Sequence, residues 1–395
     1  MYVGHISGGC FLRRLQADVM NVLLLANHIN VGGIANYCFF LGSALKRRGH
    51  GVFLACAPAS GAGARANRER FLREGIVLID IPIMTKSSFS PLVVSSLSVL
   101  LPQLKERGID VIHANTRVTQ ALAAGLRMFG GRPYISTCHG FFRPRFLRRA
   151  LPFFGARVIA VSAEVREHLV RDLRAAPAIV RLIPNGIDTD FFCPALRRGS
   201  EKAARGSLRR NLGLPDGRII GTIGRLSDVK GHLYFVEAMP EIASAFPDAA
   251  FLIVGEGRMK QAVLSRAKEL GVMDRFYLKD SVSDTREALR SMDLFVMPSL
   301  SEGLGLSLME AMSCALPSVG SDVGGIRTLI KHGDNGLLVK PADPAALAGA
   351  VKALLADERR MTDLGSRARE YIISNFSIEG MVSGTEEVYK ECING

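Results

Sequence analysis

Short apolar runs separated by helical stretches recur along this chain in two series, and that alternation restricts the fold more than any other feature. The first series is 20–26, 52–56, 76–81, 111–113, 134–137, 158–161 and 180–183. The second is 218–224, 250–254, 276–278, 294–297, 317–320 and 336–339. Helical stretches such as 36–48 lie between several of them. Strand–helix alternation implies a parallel sheet with helices on its faces, and 395 residues exceed what one core ordinarily serves. The expected fold class is α/β, with two Rossmann-like units joined near 190–210, a polar and basic stretch. The stretch 92–101, closed by Pro102, reads as a buried helix or loop and is too short and interrupted for a membrane span.

The segment Ser301-Glu-Gly-Leu-Gly-Leu-Ser-Leu-Met-Glu-Ala-Met312 carries the densest chemistry. It sets two carboxylates, Glu302 and Glu310, eight positions apart, with two glycines and the first turns of a helix between them. Residues 292–298 before it read as a short buried strand. A strand, a glycine loop and a helix start make an anion site, because free backbone N–H groups and the positive end of the helix dipole point at the ligand. The backbone of Gly303, Leu304, Gly305 and Leu306 is the expected cradle. Carboxylates accept hydrogen bonds from hydroxyls, so a polyhydroxylated phosphate compound, a nucleotide sugar, fits between Glu302 and Glu310. Glu310 stands among Leu308, Met309, Ala311 and Met312 and needs a partner.

A second loop, Gly221-Thr-Ile-Gly-Arg-Leu-Ser-Asp-Val-Lys-Gly231, follows the first strand of the second series and contributes Gly224, Arg225 and Lys230. Arginine offers a fork for two phosphate oxygens and lysine a compact ammonium. Cations fixed where a diphosphate departs stabilise the transition state more than the ground state. Gly255, in Val254-Gly-Glu-Gly-Arg258, ends another strand facing the same cleft. In the first series, Asn30-Val-Gly-Gly-Ile-Ala-Asn36 places Gly32 and Gly33 between a strand and a helix, where backbone can approach donor phosphates or acceptor.

Together the Glu-(seven residues)-Glu pattern and the 221–231 loop resemble the retaining glycosyltransferases of the two-domain GT-B fold, family 4, from about Met20 to the C-terminus. The resemblance implies two Rossmann-like domains facing a central cleft and transfer of a sugar from a UDP-, GDP- or ADP-sugar to an acceptor hydroxyl. Retention is expected by same-face displacement assisted by the leaving phosphate, since no nucleophile is evident on the sugar's back face. It implies that Arg225 and Lys230 bind the donor diphosphate, that Glu302 faces the donor sugar and that Glu310 takes the ribose hydroxyls. His139, in Ser136-Thr-Cys-His-Gly140 at a strand end, matches the family's active-site histidine; His113, also at a strand end, is a second candidate. A terminal helix, about 381–393, is expected to cross back onto the first domain. The domains expected are an extension over 1–19 that does not look structural, an acceptor domain over 20–190 completed by 381–395, and a donor domain over 191–380. No metal and no cofactor beyond the donor is called for.

Charge is lopsided. Residues 1–195 hold 24 Lys/Arg against 11 Asp/Glu, and the remainder holds 26 of each, so the whole excess of +13 lies in the first half. It peaks at 141–157, where Arg143, Arg145, Arg148 and Arg149 interleave with phenylalanines. Cations among aromatics suit an anionic membrane surface or a lipid-phosphate acceptor; no motif for nucleic acid accompanies them. Seven scattered cysteines without a C-x-x-C pair argue against zinc and for a reducing compartment. The expected site is the cytoplasm, peripheral to the inner face of the cytoplasmic membrane. Residues 1–19 lack the apolar core of a secretory signal, and Met20 is a candidate true start.

Rival readings are a nucleotide-sugar epimerase or phosphorylase on the same scaffold, a NAD-dependent oxidoreductase, and a non-catalytic membrane- or RNA-binding protein of this fold. The oxidoreductase lacks G-x-G-x-x-G directly after its first strand. Asp188-Thr-Asp190 imitates a metal-binding D-x-D but follows Pro184-Asn-Gly186 in a turn. Gly61-Ala-Gly63 lies in what reads as a polar, basic loop.

Overall fold

Strands apolar at nearly every position can be buried on both faces, which is what a parallel sheet between helix layers requires. In the computed structural model, which describes residues 19–395 apart from 31, 61, 145, 195–200 and 283, each expected run forms a parallel strand. The first sheet holds β1 (Asn21–Leu25), β2 (Gly51–Cys56), β3 (Val77–Asp80), β4 (Val111–Ala114), β5 (Tyr134–Cys138), β6 (Arg157–Ala160) and β7 (Val180–Leu182), in the order β3-β2-β1-β4-β5-β6-β7. The second holds β8 (Arg218–Ile223), β9 (Ala249–Val254), β10 (Phe276–Lys279), β11 (Leu294–Met297), β12 (Ser318–Ser321) and β13 (Leu337–Val339), in the order β10-β9-β8-β11-β12-β13. This is the GT-B architecture of two Rossmann-like sheets. Every residue of β4, β5, β9 and β11 is buried.

Strand order reverses between β1 and β4 in one sheet and between β8 and β11 in the other. Loops at such a reversal splay to opposite faces and leave a crevice at the carboxyl ends of the strands, where open α/β sheets bind ligands. The four loops that leave β1, β4, β8 and β11 are therefore the ones topology selects, and they include the 30–36, 221–231 and 301–312 motifs.

The chain passes between the sheets twice, side by side. Ile187 N–H donates to the Phe376 carbonyl at 2.9 Å, and Ile187 bridges Ser377. The helix Ile378–Asn394, which starts three residues before the expected 381, then packs on the helix Gly33–Arg47 and on β4 and β5. Glu386 ties it to Arg48 (2.5 Å) and His50 (2.8 Å), and Tyr389 hydroxyl meets His113 Nδ1 at 2.7 Å.

Two polar stretches, one of them expected as a loop, contain helices. The expected loop is helical from Ala62, in the helix Ala62–Arg73, and the second half of the basic joining stretch is the helix Glu201–Asn211. In the latter, arginine replaces the apolar anchor. Arg209, 7% exposed, reaches the carbonyls of Ser291, Asp216 and Gly217 and pairs with Asp293 at 2.6 Å. Residues 1–18, 195–200 and Arg145 lie outside the described residues. Among the described residues no helix is long and apolar enough to cross a membrane.

Candidate active site

The glycine loop after β11 is held from both sides by backbone. A side chain on Gly303 would place its Cβ 2.1 Å from the His139 carbonyl oxygen, across the cleft. Only a residue without Cβ permits this approach, which brings the two sheets' loops into contact. Gly305, at φ 100°, turns the chain into the helix Leu306–Ser313, whose first N–H groups have no acceptor within the helix. Leu304 is buried beneath the loop, and Leu306 Cδ1 lies 3.3 Å from the Cβ position of Gly33. The 301–306 and 30–36 motifs therefore meet face to face. Gly32 is exposed beside them, and its carbonyl accepts from Asn36 N–H.

The loop after β8 packs on the same segment. Leu300 N–H donates to the Val229 carbonyl at 2.8 Å, and Gly231, at φ 64°, lies against the Pro298 carbonyl. This register brings Lys230 Nζ onto the Glu302 carboxylate, with Ser299 hydroxyl 3.5 Å from the same oxygen. Arg225 is exposed at the other end of the loop. Gly224 N–H donates to the Val254 carbonyl, and Gly255 lets the Gly224 carbonyl approach β9 closely. Burial, with Arg225 second, pushes the His28 imidazole down.

Glu310 is 4% exposed and has the partner its apolar neighbours demand. Its Oε2 accepts from the Thr285 hydroxyl at 2.8 Å, and Asn36 Nδ2 stands 3.5 Å from Oε1. Burial raises its carboxyl to about 7, helped by Asp284 and opposed by Thr285, Arg70 and Asn36. The folded protein therefore binds a proton there that an unfolded chain releases near the ordinary value of 4.5. Stability from this group is complete below about 4.5 and is lost as pH rises to about 7. The melting temperature of ligand-free protein should fall across that interval relative to Glu310→Gln, and superimposable pH profiles would contradict the assignment.

The two histidine candidates separate. Burial, followed by the charge of His139, lowers His113 to about 3, and both its ring nitrogens are occupied, by Tyr389 and by Thr137 Oγ1 at 2.7 Å each. It is a packing residue that anchors the terminal helix. His139, lowered to about 3 by burial, stacks edge-on against Tyr37 at 4.6 Å. Its Nε2 lies 3.2 Å from Asn115 Oδ1. Asn115 Nδ2 reaches the carbonyls of Leu25 and His113, which fixes Oδ1 toward the ring. Neutral His139 thus donates from Nε2 and keeps Nδ1 as an acceptor.

Asn36, Asn115 and Thr285 have no role assigned in the sequence reading. Asn115 was findable as the residue following β4 at the strand-order reversal; Thr285, in an ordinary polar loop, gave no signal. Of the basic cluster, Arg143 is exposed, Arg148 lies over the Phe142 ring at 4.3 Å and Arg149 donates to the Asp172 carbonyl at 2.9 Å. Asp188 accepts from the N–H groups of Asp190 and Phe191, which makes the D-x-D a turn.

Two family profiles match the chain: "Glycosyltransferase Family 4" over residues 31–191 and "Glycosyl transferases group 1" over 217–357. The chain is 28% identical to the UDP-Gal:alpha-D-GlcNAc-diphosphoundecaprenol alpha-1,3-galactosyltransferase of Escherichia coli, over 75% of this chain and 79% of that one. It is 29% identical to the GDP-mannose-dependent alpha-(1-6)-phosphatidylinositol monomannoside mannosyltransferase of Mycolicibacterium smegmatis, over 87% and 91%. Anabaena Alr3699/HepE, solved in complex with UDP and glucose, superposes with a TM-score of 0.80 at 21% identity, over 94% of this chain and 99% of that one. That likeness speaks to the fold.

Proposed function

This chain belongs to glycosyltransferase family 4, whose members are retaining enzymes that use nucleotide sugars, and from that premise we propose how its residues divide the work. The second sheet, over 191–380, is the donor domain; the first, over 20–190 with the terminal helix, is the acceptor domain. The observation that carries this division is the meeting of Lys230, Glu302 and the N-terminus of Leu306–Ser313 on one side of the cleft with His139 on the other. Arg225, Lys230 and the backbone from Gly303 to Leu306 take the diphosphate as charge develops on it. Gly224 and Gly255 keep that floor low, and Gly32 and Gly33 close over it from the facing loop. Glu310 receives the ribose hydroxyls in place of Asn36.

Glu302 and the Nδ1 acceptor of His139 orient the sugar, and contact between Gly303 and His139 excludes water from the reacting centre. We read the acceptor as a lipid-linked or cell-envelope glycan. Two named relatives act on a diphosphoundecaprenol-linked sugar and on a phosphatidylinositol mannoside. The positive first half of the chain supports a place at the inner face of the cytoplasmic membrane, with Arg143, Arg148 and Arg149 toward the acceptor or the lipid.

A melting-temperature screen against UDP, GDP, ADP and their sugars tests the donor role, because a ligand that binds only the folded state raises the midpoint. One nucleoside diphosphate is expected to stabilise the protein by about 2.7 kcal/mol at a hundredfold excess over its Kd. No shift with any of them would remove the donor assignment.

A further inference from the structure

We propose that His168, set by Asp172, is a positioning residue that holds the 139–142 strap, and with it His139, in place against the second domain. The inference rests on the reading that His139 orients the donor sugar.

The strap leaves β5 at His139, and residues 139–144 belong to neither helix nor strand, so other groups must fix their backbone. Phe142 N–H donates to His168 Nε2 at 3.0 Å. A ring nitrogen that accepts carries no proton, so the neutral imidazole of His168 holds its proton on Nδ1. Nδ1 meets Asp172 Oδ2 at 2.6 Å, a short bond of the kind a carboxylate accepts. Asp172 thus selects the one tautomer that can receive the Phe142 N–H.

The backbone is shaped to present this pair. The helix Ala163–Glu167 widens into a single π turn over His168–Asp172, in which Leu173 N–H reaches back to the His168 carbonyl at 3.1 Å. The same turn fastens the chain beyond the strap, since Arg149 Nε donates to the Asp172 carbonyl at 2.9 Å. These elements also touch the second domain. Phe141 packs edge-on against the His168 ring, with centroids 5.4 Å apart, and its Cε2 lies 2.9 Å from the Cβ position of Gly324. Glu164, one turn before His168, accepts from the Thr328 hydroxyl at 3.0 Å. Gly303 abuts His139 and Gly140 at the start of the strap. A strap released from His168 would therefore loosen at Phe142, three residues from His139, where the two domains meet.

The test compares His168→Leu, His168→Gln, Asp172→Ala and Asp172→Asn in the full-length protein at mildly alkaline pH. Three readouts are taken: nitrogen-15 spectra of histidine-labelled protein, affinity for the nucleoside diphosphate that stabilises it, and hydrolysis of the matching nucleotide sugar. Hydrolysis is transfer to water and needs no acceptor. The parent should show His168 protonated on Nδ1. His168→Leu offers no acceptor, and Asp172→Ala frees the ring to take either tautomer. Each should displace the His139 signals and lower kcat by roughly 10-fold or more, with nucleoside diphosphate affinity kept. His168→Gln, whose amide oxygen can stand where Nε2 stands, should recover most of the loss, as should Asp172→Asn, whose carbonyl oxygen still accepts from Nδ1–H. A merely structural role would favour leucine over glutamine at this buried position, because an apolar side chain is cheaper to bury. The Asp172 side chain is 55% exposed, so its variants carry the test if His168→Leu does not fold.

A proton on Nε2 of His168 in the parent, His168→Leu equal to His168→Gln, or unmoved His139 signals in Asp172→Ala would overturn the proposal. Displaced His139 signals with hydrolysis unchanged would support the fastening and overturn the reading that His139 orients the sugar. Absence of nucleoside diphosphate binding by the parent would count against the donor reading instead.

Discussion

Alanine at Arg225 or at Lys230 is expected to lower turnover by on the order of 100-fold, the usual effect of removing one donor that stabilises developing charge. The two substitutions differ in what they leave behind. Arg225 is exposed, so its loss removes the proposed phosphate ligand and little else. Lys230 pairs with Glu302 in a partly shielded site, with side chains 23% and 13% exposed. Lys230→Ala therefore strands a carboxylate beside the diphosphate, and repulsion adds to the missing attraction. The double variant Lys230→Ala/Glu302→Gln separates these effects, because residues in contact do not act additively. Turnover higher in the double than in Lys230→Ala would show that the stranded charge does part of the damage. Near-normal turnover in both single variants would remove the phosphate role.

Gly303→Ala is expected to be as harmful as either, for a steric reason. The new methyl group would lie 2.1 Å from the His139 carbonyl oxygen, a separation that cannot be held. Because the obstructing atom belongs to the other domain, the clash is relieved by parting the cleft rather than by unfolding either sheet. Nucleoside diphosphate affinity, which rests on the donor side, should survive within a few-fold. Transfer should fall by on the order of 100-fold, the effect of displacing reacting groups by about 1 Å. Gly349→Ala, in the helix Pro344–Leu355 with nothing near its Cβ position, is the matched control and should leave both quantities alone. Unimpaired transfer by Gly303→Ala would show that the contact with His139 is not part of the working geometry.

Much of this site was legible before any coordinates, for identifiable reasons. The strands are buried on both faces, so their sequences are apolar throughout and stand out from the helices between them. The glycine loops stand out because close backbone approach demands glycine at fixed places, as at Gly231 and Gly303. What stayed hidden depends on how distant segments close on each other. Glu310 finds Thr285 and Asn36 only when the cleft is formed, and nothing local in Asp284-Thr-Arg286 announces that. His113 and His139 look alike in sequence, both at strand ends. The terminal helix, arriving from nearly 280 positions away, occupies one ring with Tyr389 and leaves the other facing Asn115. The helix Glu201–Asn211 did not show within the polar joining stretch because its anchor is the buried guanidinium of Arg209, whose capacity to satisfy three carbonyls has no apolar signature.

The most direct test is a crystal structure of the protein with its nucleotide sugar bound. Density for the diphosphate should lie between the 224–231 loop and the start of Leu306–Ser313, in hydrogen-bond reach of Lys230 Nζ and Arg225, with the ribose on Glu310. A diphosphate bound elsewhere, with Arg225 and Lys230 turned to solvent and Glu310 still on Asn36, would contradict the proposed division of roles.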